Sequence, residues 1–169
     1  MSSFDDGYEN NYTYAFNILK KHEFPATIFV VTDLVGTPGF LTWDEINEMT
    51  QHGIFIGSHT RTHPYLPDLS YEQQRKEILE SRQILKEKLD QPINFFCYPT
   101  GGFNEQIKRL VKEAGYLGAT TTNRGYDRLN RDVYELKRIR LKTDDVSSFV
   151  LWAKFSGYYN LFRRDKHPE

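Results

Sequence analysis

The chain has 169 residues, with 22 Lys and Arg set against 23 Asp and Glu for a formal net charge of −1. That balance gives no broad basic field to attract a nucleic-acid backbone, and the length suits one domain able to bury its own core. No run is long or apolar enough to span a membrane, no charged-then-apolar signal peptide is present, and the single Cys97 cannot form an internal disulfide.

In chain order the patterning alternates between helix and strand. Residues 11–22 carry Tyr12, Ala15, Phe16 and Leu19 at helical spacing, and 26–31 is a continuous β-prone run. Thr42 with Glu45 three residues later forms a capping-box signature, opening a helix toward His52 that Gly53 ends. Residues 54–58 read as a short strand. Ser70 caps a long, charged helix to about residue 89 in which Ile78, Leu85 and Leu89 share one face. A strand at 93–98, a helix at 104–114 ended by Gly115, and a strand at 117–121 follow. The polar stretch 122–132 reads as a loop, 134–141 as a strand and 146–155 as a helix. Repeated strand–helix units with apolar strands predict an α/β fold built on a parallel sheet.

Two motifs carry chemistry. Asp5-Asp6-Gly7 sets two carboxylates side by side, and His59-Thr60-Arg61-Thr62-His63 sets two imidazoles four residues apart. A Lewis-acid metal needs a few protein ligands and an open position, which one Asp and two His provide. Adjacent carboxylates push their pKa values apart, which suits one as ligand and the other as base. A single helical turn would place His59 and His63 on one face. Taken alone, Asp-Asp-Gly reads equally as a tight turn. Both motifs, however, follow apolar β-prone segments, where site residues of α/β proteins sit.

At these residues the chain resembles the polysaccharide deacetylases, carbohydrate esterase family four, also called NodB-homology domains. Ser3-Phe4-Asp5-Asp6-Gly7 is similar to the family's T-F-D-D-G motif, and His59-Thr60-Arg61-Thr62-His63-Pro64 to its H-[ST]-x-x-H motif. Phe96-Cys97-Tyr98-Pro99-Thr100-Gly101-Gly102-Phe103-Asn104 resembles the F-A-Y-P-Y-G-x-x-N form of the third motif, and Leu136-Lys137-Arg138-Ile139-Arg140-Leu141 the L-P-R-I-R-V segment that accompanies it. The resemblance runs nearly end to end. It implies a distorted (β/α) barrel of the NodB type over residues 1–162, followed by a charged tail at 163–169. Only Met1, Ser2 and Ser3 precede Phe4, so the first strand is expected to be truncated and any export signal to lie outside this sequence.

The resemblance also implies a function: removal of N-acetyl groups from an N-acetylglucosamine-containing polysaccharide in an extracytoplasmic or cell-envelope setting, with poly-N-acetylglucosamine ahead of peptidoglycan. Asp6, His59 and His63 would hold a divalent ion, zinc first, with cobalt or nickel also accepted by such ligands. Asp5 would be the catalytic base, with Tyr98, Pro99, Thr100 and Gly101 as a substrate-binding turn supplying an oxyanion donor near Thr100. Three positions depart from the wider family. Cys97 stands where other members carry a base-orienting Arg, no L-x-H histidine follows Arg138, and Thr100 replaces a Tyr. Arg138 and Arg140 share one face of the expected strand, so either is a candidate to orient Asp5. A glycan-binding domain without turnover, or an O-acetyl xylan esterase, are the alternative readings. No motif speaks to oligomeric state.

Overall fold

A computed structural model describes residues 2–122, 131–141 and 147–156. Six strands form one parallel sheet in sequential order: β1 (Ser2–Phe4), β2 (Ala26–Val30), β3 (Ile54–Ser58), β4 (Phe95–Cys97), β5 (Gly118–Thr121) and β6 (Leu136–Lys137). Sequential parallel order requires a crossover on the same side each time, which curls the sheet into a half-barrel. Among the described residues β1 and β6 are its two edges.

The first strand is short yet fully paired, with Ser2, Ser3 and Phe4 opposite Ala26, Thr27 and Ile28. This register brings Asp5 to the carboxyl end of the sheet. Helix packing follows from the period-two alternation of the strands. Ala26, Ile28 and Val30 of β2, with Ile54 and Ile56 of β3, join the core cluster with Ile46, Met49, Ile78, Leu85, Leu110 and Val111 from the helices. The odd-numbered Phe29 faces the other way, so closely against β3 that a Cβ on Gly57 would lie 2.5 Å from its ring. Burying each of these large apolar side chains contributes about 1.5–3 kcal/mol.

The helices begin as the sequence patterning implies. A π-helical segment (Asn11–Phe16) runs directly into α1 (Asn17–Lys21). Helix α2 (Trp43–Gln51) starts from Thr42 and α3 (Tyr71–Leu89) from Ser70, each through a complete capping box, with Glu45 and Gln73 as the reciprocal partners. Such a cap is worth about 1 kcal/mol. Asn104 caps α4 (Glu105–Glu113), and α5 (Ser148–Phe155) closes the described chain.

The strand expected over 134–141 is confined to Leu136–Lys137. Before it, the Asp132 carboxylate accepts from the Tyr134 N–H at 2.8 Å and the Asp132 carbonyl from the Glu135 N–H at 3.0 Å, so the chain is still turning. Most of the 122–132 loop and all of the 163–169 tail lie outside the described residues.

Candidate metal centre

Every residue of the two motifs emerges at the carboxyl edge of the sheet. Asp5 and Asp6 follow β1, His59 and His63 follow β3, and the Tyr98–Gly102 turn follows β4. Asp6 (φ 72°) and Gly7 (φ 76°) both occupy the left-handed region, so the chain reverses immediately after Asp5 and the two carboxylates diverge.

Asp6 faces the histidines. Its Oδ1 lies 3.5 Å from His59 Nε2 and 3.3 Å from His63 Nε2, and the three ligand atoms all fall within 4.8 Å of one another. Ligands on a tetrahedral zinc, at bond lengths of about 2.0–2.2 Å, stand about 3.4 Å apart, so this donor set fits such an ion. His59 Nδ1 meets the Cys97 carbonyl at 2.7 Å, which fixes the ring and directs Nε2 at Asp6, as expected of an orienting partner behind a metal ligand.

The electrostatics point the same way. Burial works against the His59 imidazolium, but its hydrogen bond to Asp6 and the neighbouring Cys97 side chain outweigh this and push its pKa up to about 10. The same hydrogen bond from His59 holds the Asp6 carboxyl below its usual value. Burial and the neighbouring His59 cation lower His63. These shifts mark a place where positive charge is favoured, as a cation held by the same ligands would require.

The two histidines do not share a helical turn. Residues 59–63 form an irregular loop in which Thr60 (φ 67°) and His63 (φ 64°) adopt left-handed backbone, and the rings meet edge to face at 4.7 Å. Pro64 disfavours right-handed helical backbone at His63, which works against a helical turn through both histidines.

Asp5 has a different partner. Arg138, just past β6 at the opposite edge of the sheet, grips it through two parallel bonds of 2.7 Å, from Nη1 to Oδ1 and from Nη2 to Oδ2. Nη1 also donates to Ser3 Oγ at 3.0 Å and Nη2 to Cys97 Sγ at 3.1 Å, while the guanidinium lies 5.4 Å from the Phe29 ring centre. With both oxygens held by Arg138, Asp5 stands apart from the Asp6, His59 and His63 set, although His59, Cys97 and Asp5 also lie close together. Of the two candidate arginines, Arg138 reaches Asp5. Arg140 is exposed, because the strand that would align the two ends at Lys137.

The turn after β4 is only partly a surface. Tyr98, Pro99 and Gly101 are buried; the Tyr98 hydroxyl donates to the Tyr134 carbonyl at 2.9 Å and its ring stacks on Phe103. The Tyr98 side chain thus packs within the turn and against the segment that leads into β6. Thr100 alone is exposed, in left-handed backbone (φ 52°). Gly102 is required here, because a Cβ would lie 2.2 Å from the Tyr65 ring. His22 stacks on Phe24 and His52 lies edge-on to Phe16, both toward the amino ends of the strands and away from the centre. His167 lies outside the described residues.

A carboxylate and two imidazoles stand beside a second, arginine-gripped carboxylate at the carboxyl edge of a parallel half-barrel, a donor set that could hold a metal ion. The family model for polysaccharide deacetylase matches residues 1–119, and the chain belongs to this family. It is 36% identical to the Bacillus subtilis protein YxkH over 158 residues, covering 94% of this chain and 55% of that protein. It is 26% identical to a poly-beta-1,6-N-acetyl-D-glucosamine N-deacetylase of Staphylococcus epidermidis, covering 88% of this chain and 56% of that one. The structure of Streptococcus pyogenes deacetylase PplD in complex with acetate superposes with a TM-score of 0.79 at 33% identity, covering 82% of this chain and 62% of that chain. The chain thus spans a little over half the length of the curated relatives it matches.

Proposed function

We propose that the chain is a metal-dependent hydrolase that removes N-acetyl groups from an N-acetylglucosamine-containing polysaccharide and releases acetate. The observation that carries this reading is the division of labour between adjacent carboxylates. Asp6 faces His59 and His63, while Asp5 is held apart by Arg138.

A divalent ion held by Asp6, His59 and His63 would polarise the acetamide carbonyl and acidify a nearby water. Asp5, fixed by Arg138, accepts the proton as the water oxygen bonds to the carbonyl carbon. Gly101 and Gly102 donate inside their own turn, at 3.0 Å each to the Tyr98 and Pro99 carbonyls, so we assign the Thr100 N–H to the oxyanion that develops. As the carbon–nitrogen bond breaks, Asp5 returns its proton to the departing amine. No histidine other than the two ligands stands near the centre among the described residues, which makes Asp5 both base and acid.

The Phe96-Cys97-Tyr98-Pro99 form of the third motif and the likeness to the Staphylococcus epidermidis enzyme support poly-N-acetylglucosamine ahead of peptidoglycan as the polymer, and with it a cell-envelope or extracytoplasmic setting. The test is acetate release from N-acetylglucosamine oligomers and from peptidoglycan by metal-stripped protein, with and without zinc or cobalt, alongside Asp5→Asn. Metal-dependent release that Asp5→Asn abolishes is expected. Glycan binding without release would replace the enzyme with a binding domain, and release from acetylated xylan alone would make it an O-acetyl esterase.

A further inference from the structure

The loop between the two histidines has to be held in an unfavourable shape. Thr60 and His63, at φ 67° and 64°, stand in backbone that non-glycine residues adopt only when their surroundings fix it. Part of the restraint is local: the Thr60 hydroxyl accepts from the His63 N–H at 3.0 Å. Part comes from the end of β2, where the Thr32 and Asp33 N–H groups donate to the Thr60 and Arg61 carbonyls at 3.3 and 3.0 Å.

The remaining restraint comes from one side chain of α3. Glu77 Oε2 accepts from the Arg61 N–H at 2.8 Å and from the Thr62 N–H at 3.0 Å, and its Oε1 accepts from the Thr62 hydroxyl at 2.8 Å. Three donors of the two residues that immediately precede His63 thus converge on one half-buried carboxylate. Bonds to an ionised acceptor are roughly twice as strong as neutral ones. The Arg61 guanidinium turns away from Glu77, to Asp33 at 2.8 Å and to Glu80, tying the same loop to the turn after β2 and to α3 from outside.

We propose that Glu77 is a positioning residue of the metal centre, holding the Arg61–Thr62 backbone so that His63 stays within ligand distance of His59 and Asp6. It touches neither the ion nor a substrate. It acts through the loop, by removing the freedom His63 would otherwise lose on binding the ion. The inference rests on Asp6, His59 and His63 forming a metal site, but not on any substrate.

The experiment is a zinc titration of the metal-stripped 169-residue chain against a chromophoric chelator, with the metal-free melting temperature measured in parallel. Glu77→Ala is expected to raise the zinc Kd about 10–100-fold, the usual scale for partners behind metal ligands. Glu77→Gln should fall between, since its amide keeps one acceptor oxygen and turns a donor nitrogen toward another donor. Exposed Glu87 on the same helix provides the control, and Glu87→Ala should bind as the unsubstituted chain does. A Kd within twofold of that chain in Glu77→Ala overturns the proposal, even if the melting temperature falls, because Glu77 would then only staple loop to helix. If Glu77→Ala does not fold, an unchanged Kd in Glu77→Gln overturns it equally. Failure of the unsubstituted chain to bind zinc overturns the metal-site reading beneath it, an outcome distinct from a variant effect.

Discussion

The centre is assembled from two sides that the chain reaches in different ways. On the ligand side, Asp6, His59 and His63 leave β1 and β3, both of which pair with β2, and a few hydrogen bonds at the strand ends bring them together. On the other side Arg138 arrives from beyond β6, 133 residues from Asp5, and meets it only because the sheet curls until its two edges approach. Local pairing fixes the first arrangement and the closure of the whole half-barrel fixes the second. A buried-edge ion pair between Asp5 and Arg138 stands where a closed barrel would have a strand ladder. Changes on the ligand side should therefore abolish the site, while changes on the Arg138 side should leave a loaded but misaligned one.

The largest effects belong to the ligands. Replacing Asp6 or His59 with Ala removes one of three donors, and zinc binding measured by titration is expected to disappear along with acetate release. Asp5→Asn separates the sides, because it removes the base and spares the ligands. Its kcat should fall about 10²–10⁴-fold with zinc still bound, and loss of zinc in this variant would mean that Asp5 is a ligand after all.

Arg138→Ala probes the far side and should cost somewhat less, on the order of 10²-fold in kcat, since misplacement of a group by about 1 Å has that scale. KM and zinc affinity should hold. Arg138→Lys should recover only part of the loss, because an ammonium cannot make the two parallel bonds seen here at 2.7 Å each. Arg140→Ala, on an exposed side chain, should match the parent, and a loss there equal to that of Arg138→Ala would undo the assignment.

A smaller effect is expected at the contact between the third-motif turn and the ligand loop. A methyl on Gly102 would press into the Tyr65 ring, two residues after His63. Gly102→Ala should lower stability by about 1–3 kcal/mol, as overpacking does, and be seen as a lowered melting temperature with metal binding retained.

The contrast between the two sides also explains what could be read from the sequence. Asp5-Asp6-Gly7 and His59 to His63 are contiguous motifs next to β-prone runs, so their convergence at strand ends followed from strand order. The capping residues Thr42 and Ser70 were legible because a capping box is a local pattern. The conformation between His59 and His63 was not, since four-residue spacing also fits a helical turn and the left-handed loop is held by contacts from other elements, those of Thr32, Asp33 and Glu77. Neither was the choice between Arg138 and Arg140, which depends on where β6 ends and how far the sheet curls. The packing of Tyr98 against Phe103 and Tyr134 was not legible either, since Tyr134 reaches it from a segment 36 residues away.

The segment that carries Arg138 has its own anchor, where the smallest effect is expected. Lys108 of α4 reaches Asp132 and Glu105 at 2.8 Å each and Glu135 at 3.7 Å, tying the start of that segment to the helix. The hydrogen bond from Lys108 keeps the Asp132 carboxyl below its ordinary value of 3.8. A depressed folded-state pKa stabilises fully above that ordinary value, and the contribution fades as pH falls below it toward the lower folded value. Asp132→Asn should therefore melt slightly below the parent at pH 7, by no more than a partly exposed pair provides, and the gap should narrow below about pH 4 as the parent's carboxylate takes up its proton. If the gap is unchanged by acid, the charge on Asp132 is not what stabilises the parent. If Asp132→Asn also lowers kcat at pH 7, the anchor at Lys108 transmits to Arg138, and the far side of the centre is set by a chain of contacts that begins on α4.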